Sequence, residues 1–309
     1  MVRTLSAAET TETDSPPLAI PVAVTGAHGF IGTRLSAALA AAGATVSQFG
    51  RGSRDGRDRL MRAEDVRVHF HLATSVDPST AERFPERVAA DRAEFARLLD
   101  GFAGLARPPL VVLASSGPYV YDPTGPQPFA ETAPLGPRTE YGRAKLALEQ
   151  ELRDRADVVP GLALRLASVY GPTQPAGSGQ GVIVHWLAAA TRGRPPRLSA
   201  DLAQSQDFVH VDDVVDALVR IGRLAQEALP AVLNIGSGAP TSLDDLLRML
   251  TGLAGGAIAV ERVAGRGFER RDAVLDIRLA AECLGWAPRI ALTTGLAQVW
   301  RAQVSGGSE

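Results

Sequence analysis

The stretch VTGAHGFIG, residues 24–32, constrains this chain more than any other short segment. Gly26, Gly29 and Gly32 follow directly on a short apolar run, VAVT at 22–25, and open an alanine-rich segment at 30–42. Glycines between a strand and a helix permit a tight turn and let backbone approach a pyrophosphate, while the helix N-terminus favours the anion. Glycines that serve only a turn would also fit. The position, at the start of a repeated pattern, turns the motif towards dinucleotide binding.

That pattern alternates short apolar runs with amphipathic or alanine-rich segments, as in an α/β fold whose parallel sheet is covered by helices. Candidate strands are VAVT, TVSQF (45–49), VRVHFHLA (66–73), PLVVLAS (109–115) and GLALRLA (161–167). Helices are expected at 30–42, 79–103 and 138–156. Pro21 precedes the first strand, where a missing donor does least harm. After VYGPTQPAGSGQG (169–181) the rhythm loosens into Pro- and Gly-rich loops, with helices expected at 182–192, 212–224, 242–253 and 293–303. The expected organisation is a loose tail at 1–17, a dinucleotide domain at 18–172 to which 204–235 returns, and a second lobe from 173–203 and 236–309.

Composition removes several classes of partner. With 309 residues and 45% hydrophobic content the chain can bury a sizeable core. A net charge of −2 without a basic run gives no electrostatic footprint for nucleic acid or an anionic membrane. Cys283 is the single cysteine, so no internal disulfide forms, which suits a cytoplasmic location. The five histidines lack ligand spacing, and no metal site is expected. No apolar run approaches the roughly 20 residues of a membrane helix, and the first residues lack the apolar core of a signal peptide.

Lys145 is the only lysine beside 31 arginines. It stands four residues after Tyr141 in a helical segment, so both side chains project from one face. A phenol has a reference pKa of about 10 and is a poor acid or base at neutral pH, whereas an ammonium beside it stabilises phenolate. A compact ammonium can also hold a ribose hydroxyl and relay a proton, which the larger guanidinium cannot do in the same space. Upstream, Ser115 and Ser116 end a candidate strand, where parallel sheets bind ligands and a hydroxyl can donate to a substrate oxygen. No acid directly follows the second strand in QFGRGSRDGR. Arg51, ahead of Arg54, is suited to a 2′-phosphate and favours NADP(H), unless both are only solvated loop charge.

With VTGAHGFIG, SSGPYVY, YGRAK, LRLASVYGP and DFVHVDDVVDAL in this order, the chain resembles the extended short-chain dehydrogenase/reductases, the superfamily of nucleotide-sugar epimerases, dehydratases and ketoreductases. The likeness runs from about Val22 to Trp300. It implies a Rossmann-like doubly wound sheet with a smaller mixed C-terminal substrate lobe. It further implies Tyr141 as general acid/base, Lys145 as the residue that tunes it and binds the nicotinamide ribose, and Ser116 as hydroxyl partner. SGPYVYD is one residue longer than the family's usual form, so Ser115 stays open as the alternative. Cofactor contacts implied by the resemblance are Gly26, Gly29, Phe30, Ile31, Gly32, Leu72, Ala73, Thr74, Leu166 and Val169. Implied substrate contacts are Ser75, Ser115, Ser168, Gly181, Val182, Arg197 and Arg271. A homodimer through the YxxxK helix is also implied.

Departures from the family pattern narrow the activity. Gly117 and Pro118 stand where dehydratases carry an Asp-Glu pair, so dehydration is not expected. Ser168 replaces a common Asn, and Gln206 replaces an Arg that grips diphosphate, which weakens a standard epimerase; Arg271 could supply that grip. The short segment before HFHLA has its parallel in NADPH-dependent sugar ketoreductases. The expected activity is NADP(H)-dependent reduction of a keto group on a sugar nucleotide, at C4 of a dTDP-4-keto-6-deoxyhexose. Three rival readings are an epimerase that keeps its cofactor bound, a reductase of a non-sugar ketone, and a non-catalytic NADP-binding sensor.

Overall fold

The computed structural model describes residues 17–50, 65–175, 181–198, 201–224, 229–256, 260–262 and 273–305. Its larger unit is a six-stranded parallel sheet. In chain order the strands are β1 (Pro21–Thr25), β2 (Thr45–Phe49), β3 (Val68–His71), β4 (Leu110–Ser116), β5 (Gly161–Leu166) and, after an intervening lobe, β9 (Val232–Ile235). Their spatial order is β2-β1-β3-β4-β5-β9, with every neighbouring pair parallel. The central strands are buried on both faces and read as continuous apolar runs, while β2 lies at an edge and exposes every residue at least in part.

Alternation along the strands assigns the two faces. Val22, Val24, Phe70, Val112 and Leu164 meet Leu35 and Leu39 of α1 (Phe30–Ala41) and Val214, Leu218 and Ile221 of a later helix, α6 (Val211–Arg223). Ala23, Val111 and Leu113 meet Phe95, Leu99 and Phe102 of α2 (Pro85–Ala103) and Leu148 and Leu152 of α4 (Glu140–Arg153). Helices therefore cover both faces, the doubly wound arrangement.

Helix α2 begins at Pro85, later than the composition suggested. The Asp77 carboxylate accepts from the backbone N–H groups of Ser79 (2.8 Å) and Thr80 (3.0 Å), closing a separate turn, and Pro85 then takes the first helical position, which needs no donor. A single helical turn, α3 (Gly117–Val120), follows β4 at once.

The smaller unit contains a sheet of β6 (Ser168–Tyr170), β8 (Ser205–His210) and β10 (Pro240–Ser242), in the order β10-β8-β6. Beside it β7 (Arg197–Leu198) pairs with β11 (Glu261–Arg262). Helices α5 (Val182–Ala190), α7 (Leu243–Ala254) and α9 (Leu292–Ser305) complete its core around Trp186, Leu246 and Leu296. Buried Asp207 on β8 accepts from the backbone of Ser237 (2.6 Å), Gly238 (3.2 Å) and Leu275 (3.2 Å). Asp213 on α6 accepts from Arg289 N (3.0 Å) and Ile290 N (3.1 Å), and its carbonyl receives Trp286 Nε1 (3.0 Å). Asp213 thus pins the C-terminal LGWAP turn to α6, while Asp207 ties the 237–238 loop and Leu275 to β8. Trp286 and Leu284, which ends α8 (Arg278–Leu284), join the core of the large sheet although they lie in the stretch assigned to the second lobe.

Candidate active site

The glycine turn is folded as its spacing requires. Gly26 has φ +74°, and a Cβ there would lie 2.8 Å from Ala73 N and Leu72 C, so backbone passes backbone only without a side chain. A Cβ on Gly32 would overlap the Gly26 carbonyl. Gly29 caps α1 with no side-chain acceptor, so the first helical N–H groups stay open to an anion. This cradle fits a dinucleotide pyrophosphate. Ala73 meets Gly26 through its backbone N and is not among the residues lining the cavity at the strand ends.

One cavity of about 1210 Å³ lies at the C-terminal ends of the strands, between the two units. Phe30, Ile31, Leu72, Thr74, Leu166 and Val169 line it, as do Ser115, Ser116, Tyr141 and Lys145. Thr139 starts α4 by accepting the Gly142 N–H at 3.0 Å, which sets Tyr141 and Lys145 on the first turns. Gly142 permits close packing: a Cβ would run into the Tyr119 carbonyl oxygen of α3. The Tyr141 ring meets the Tyr119 ring edge-on at 5.2 Å.

Lys145 is 6% exposed. Its Nζ donates to the Ala114 carbonyl at 3.1 Å and lies 5.7 Å from the centre of the Tyr141 ring. Burial pulls its pKa down from 10.5 to about 8, against the opposing charges of Asp91 and Glu149. The lysine therefore titrates close to the physiological range.

The two serines part ways. Ser115 Oγ donates to Glu149 Oε1 at 2.5 Å, and Arg165 grips the same carboxylate, with Nη2 to Oε2 at 2.7 Å. Arg165 also donates to the Glu131 carbonyl (3.1 Å) and lies 4.8 Å over the Tyr121 ring, whose hydroxyl donates to Asn234 at 2.8 Å. This buried network fixes the end of β4 from behind. Ser116 takes no part in it; it begins α3 without capping it.

The cavity also takes in Ser168, Gly181, Val182 and Arg197. Gly181 has φ +91° and precedes α5, with a Cβ position 2.7 Å from Gln174 Nε2. Ser168 Oγ donates to Gln206 Oε1 at 3.3 Å, so the two departures from the family pattern are neighbours in space. Arg197 lies 3.7 Å from Glu261. Ser75 is not among the lining residues; its backbone N–H donates to Asp91 at 2.7 Å. Arg51, Arg54 and Arg271 lie outside the described residues. Sequence reasoning missed Arg83, Arg192 and Arg194, which also line the cavity. Spacing offered no signal for them, since arginine is the common cation everywhere in the chain. Among the described residues no cluster of three or more potential metal ligands exists, and no helix is long and apolar enough to cross a membrane.

A glycine cradle that fits a pyrophosphate, with a tyrosine–lysine helix and a strand-end serine facing one cavity, forms the constellation of a dinucleotide-dependent enzyme. The chain belongs to the NAD dependent epimerase/dehydratase family, whose model matches residues 22–236, and so to the extended short-chain dehydrogenase/reductases. It is 32% identical to a UDP-glucose 4-epimerase of Mycolicibacterium smegmatis, over 89% of this chain and 96% of the relative. It is 30% identical to a dTDP-6-deoxy-L-talose 4-dehydrogenase (NAD(P)(+)) of Kitasatospora kifunensis, over 91% and 95%. Among solved structures, MoeE5 in complex with UDP-glucose and NAD superposes with a TM-score of 0.83 at 29% identity, covering 93% of this chain and 100% of that one.

Proposed function

We propose that the chain is a cytoplasmic NADP(H)-dependent ketoreductase acting on a sugar nucleotide, at C4 of a dTDP-4-keto-6-deoxyhexose. The observation that carries this reading is the convergence of Tyr141, Lys145 and Ser116 on one cavity, which Phe30 and Ile31 of the glycine-turn helix also line. Gly26, Gly29 and Gly32 would hold the pyrophosphate, with Thr74 and Lys145 towards the ribose. When bound, the reduced nicotinamide supplies hydride. Tyr141 gives its proton to the developing alkoxide, Ser116 donates a hydrogen bond to the same oxygen, and the Lys145 ammonium favours the phenolate left behind. Gly117 and Pro118 after Ser116 leave no carboxylate there to expel water, which supports reduction over dehydration.

NADP(H) is favoured because Gly50, not an acid, follows β2, with Arg51 and Arg54 next in the chain. The action of the Kitasatospora relative at C4 of a dTDP-6-deoxy sugar supports the substrate class. Substrate contacts fall to Ser168, Gly181, Val182, Arg197 and Arg271, and possession of Ser115 by Glu149 favours Ser116 for catalysis. Epimerisation is the second reading, supported by the Mycolicibacterium relative. A homodimer is proposed through the α2–α4 face, where Ala89, Ala93, Ala144 and Ala147 line a groove of about 530 Å³.

The test is NADPH consumption across a panel of 4-keto sugar nucleotides and simple ketones, with NADH in parallel. A reductase consumes external NADPH with the keto sugar nucleotide. An epimerase carries its cofactor through purification and shows no net consumption.

A further inference from the structure

Tyr141 is 7% exposed, and Lys145 is only one of the groups that bound its ring. Val76 and Ala81, both buried, pack against it from the segment before α2, with Val88 of α2 beside them. A further partner is Tyr119, the third residue of the single turn α3. Its ring stands perpendicular to the Tyr141 ring, with centres 5.2 Å apart and planes at 85°. Aromatic pairs prefer this arrangement to a face-to-face one, because the electron-poor edge of one ring meets the electron-rich face of the other. Tyr119 is half-buried and lines the cavity, yet no step of the proposed reaction uses it. The backbone that carries Tyr119 is itself fixed from two directions. Towards α4, a Cβ at Gly142 would lie 2.2 Å from the Tyr119 carbonyl oxygen, so the two helices meet backbone to backbone. Towards the large sheet, Tyr121 joins the core, its hydroxyl donating to Asn234 at 2.8 Å and its ring stacked on Phe129 at 5.1 Å. Between them the Val120 carbonyl accepts from Gly136 N at 3.0 Å.

We propose that Tyr119 is a positioning residue: its ring, carried on the anchored turn α3, fixes the Tyr141 ring so that the Tyr141 hydroxyl meets the same substrate oxygen as Ser116. The inference rests on the reading of Tyr141 as the acid that serves a carbonyl. The role needs the planar ring of Tyr119 and not its hydroxyl. Because α3 begins directly after Ser116, one short turn sets both donors: Ser116 by its place at the end of β4, and Tyr141 through Tyr119.

Two substitutions separate ring from hydroxyl: Tyr119→Leu removes the ring, and Tyr119→Phe keeps it. In steady-state kinetics with a dTDP-4-keto-6-deoxyhexose, Tyr119→Leu is expected to lower kcat by at least about tenfold, because a misplaced acid loses rate rather than affinity. KM and NADPH affinity should stay within about threefold of wild type, and Tyr119→Phe should keep kcat within about the same margin. The second readout needs no turnover. Protein labelled with carbon-13 in the tyrosine rings gives signals from four residues only, and the set lost in Tyr141→Phe belongs to Tyr141. The ring of Tyr119 shifts that set through its ring current, a shift that should persist in Tyr119→Phe and disappear in Tyr119→Leu. The proposal is overturned by wild-type kcat in Tyr119→Leu, by a Tyr119→Phe variant as slow as Tyr119→Leu, by a rise in KM alone, or by a Tyr141 signal that stays in place without the Tyr119 ring. Should the leucine variant not fold, Tyr119→Met fills the gap with a flexible chain that has no ring and carries the comparison. The ring signal reports the contact whether or not any keto sugar is reduced, so failure here is distinguishable from failure of the proposed reaction.

Discussion

Replacement of Arg165 by methionine tests the structural support of the site. The side chains of Arg165 and Glu149 are 2% and 1% exposed, and three guanidinium–carboxylate contacts of 2.7, 3.1 and 3.3 Å join them. A buried pair of this kind is not a large net gain over an apolar pair, because both charges lose their water on folding. Removing one partner alone leaves the other charge buried and uncompensated, at a cost of about 3–5 kcal/mol. At roughly 2.1 cal/mol/K per residue, a chain of 309 residues unfolds with an entropy near 0.65 kcal/mol/K, so the melting temperature should fall by roughly 5–8 °C. Thermal denaturation by calorimetry or circular dichroism reads this directly. The double variant Glu149→Leu/Arg165→Met should recover much of the loss, since no stranded charge remains. A single variant that melts within about 1 °C of wild type, or a double variant no better than the single, would refute the reasoning.

Three further outcomes follow from particular contacts. Gly142→Ala brings a methyl group against the Tyr119 carbonyl and should push Tyr141 away from Ser116, lowering kcat by roughly 10²-fold while dinucleotide affinity changes much less; unchanged kcat contradicts the packing. His69 is fully buried, and burial lowers its pKa from 6.5 to about 3. The unfolded chain then binds the extra proton, so stability falls as pH drops from about 6.5 towards 3, by up to about 1.4 kcal/mol per pH unit, and His69→Leu should flatten that part of the curve in pH-dependent melting. Ser116→Ala should lower kcat by at least about tenfold, whereas Ser115→Ala should mainly lower the melting temperature by leaving Glu149 short of a donor; the reverse pattern would exchange their roles.

Much of the larger unit was legible because its determinants are local. Short apolar runs at β1, β4 and β5 are what strands buried on both faces must look like, and the glycine spacing reflects close approaches that any side chain would block. Tyr141 and Lys145 were legible for a similar reason: one helical turn separates them, and Thr139 caps the helix that carries them. The three-stranded sheet of β6, β8 and β10 escaped because its pairings join segments far apart in sequence, and SVY and PTS are too short to declare themselves as strands. The support of the site escaped on the same ground. Glu149 reaches Arg165 across 16 residues and Ser115 across 34, and Asp91 reaches the Thr74–Ser75 loop from another element, so no periodicity announces either carboxylate.

In the proposed reaction Tyr141, made effective by Lys145, performs acid catalysis on a carbonyl in the shared cavity. Turnover and NADPH binding of Tyr141→Phe, measured beside wild type with a dTDP-4-keto-6-deoxyhexose, test it most directly. Turnover is expected to fall by roughly 10²–10⁴-fold with NADPH affinity within a few-fold of wild type. Turnover close to wild type with unchanged NADPH binding would contradict it.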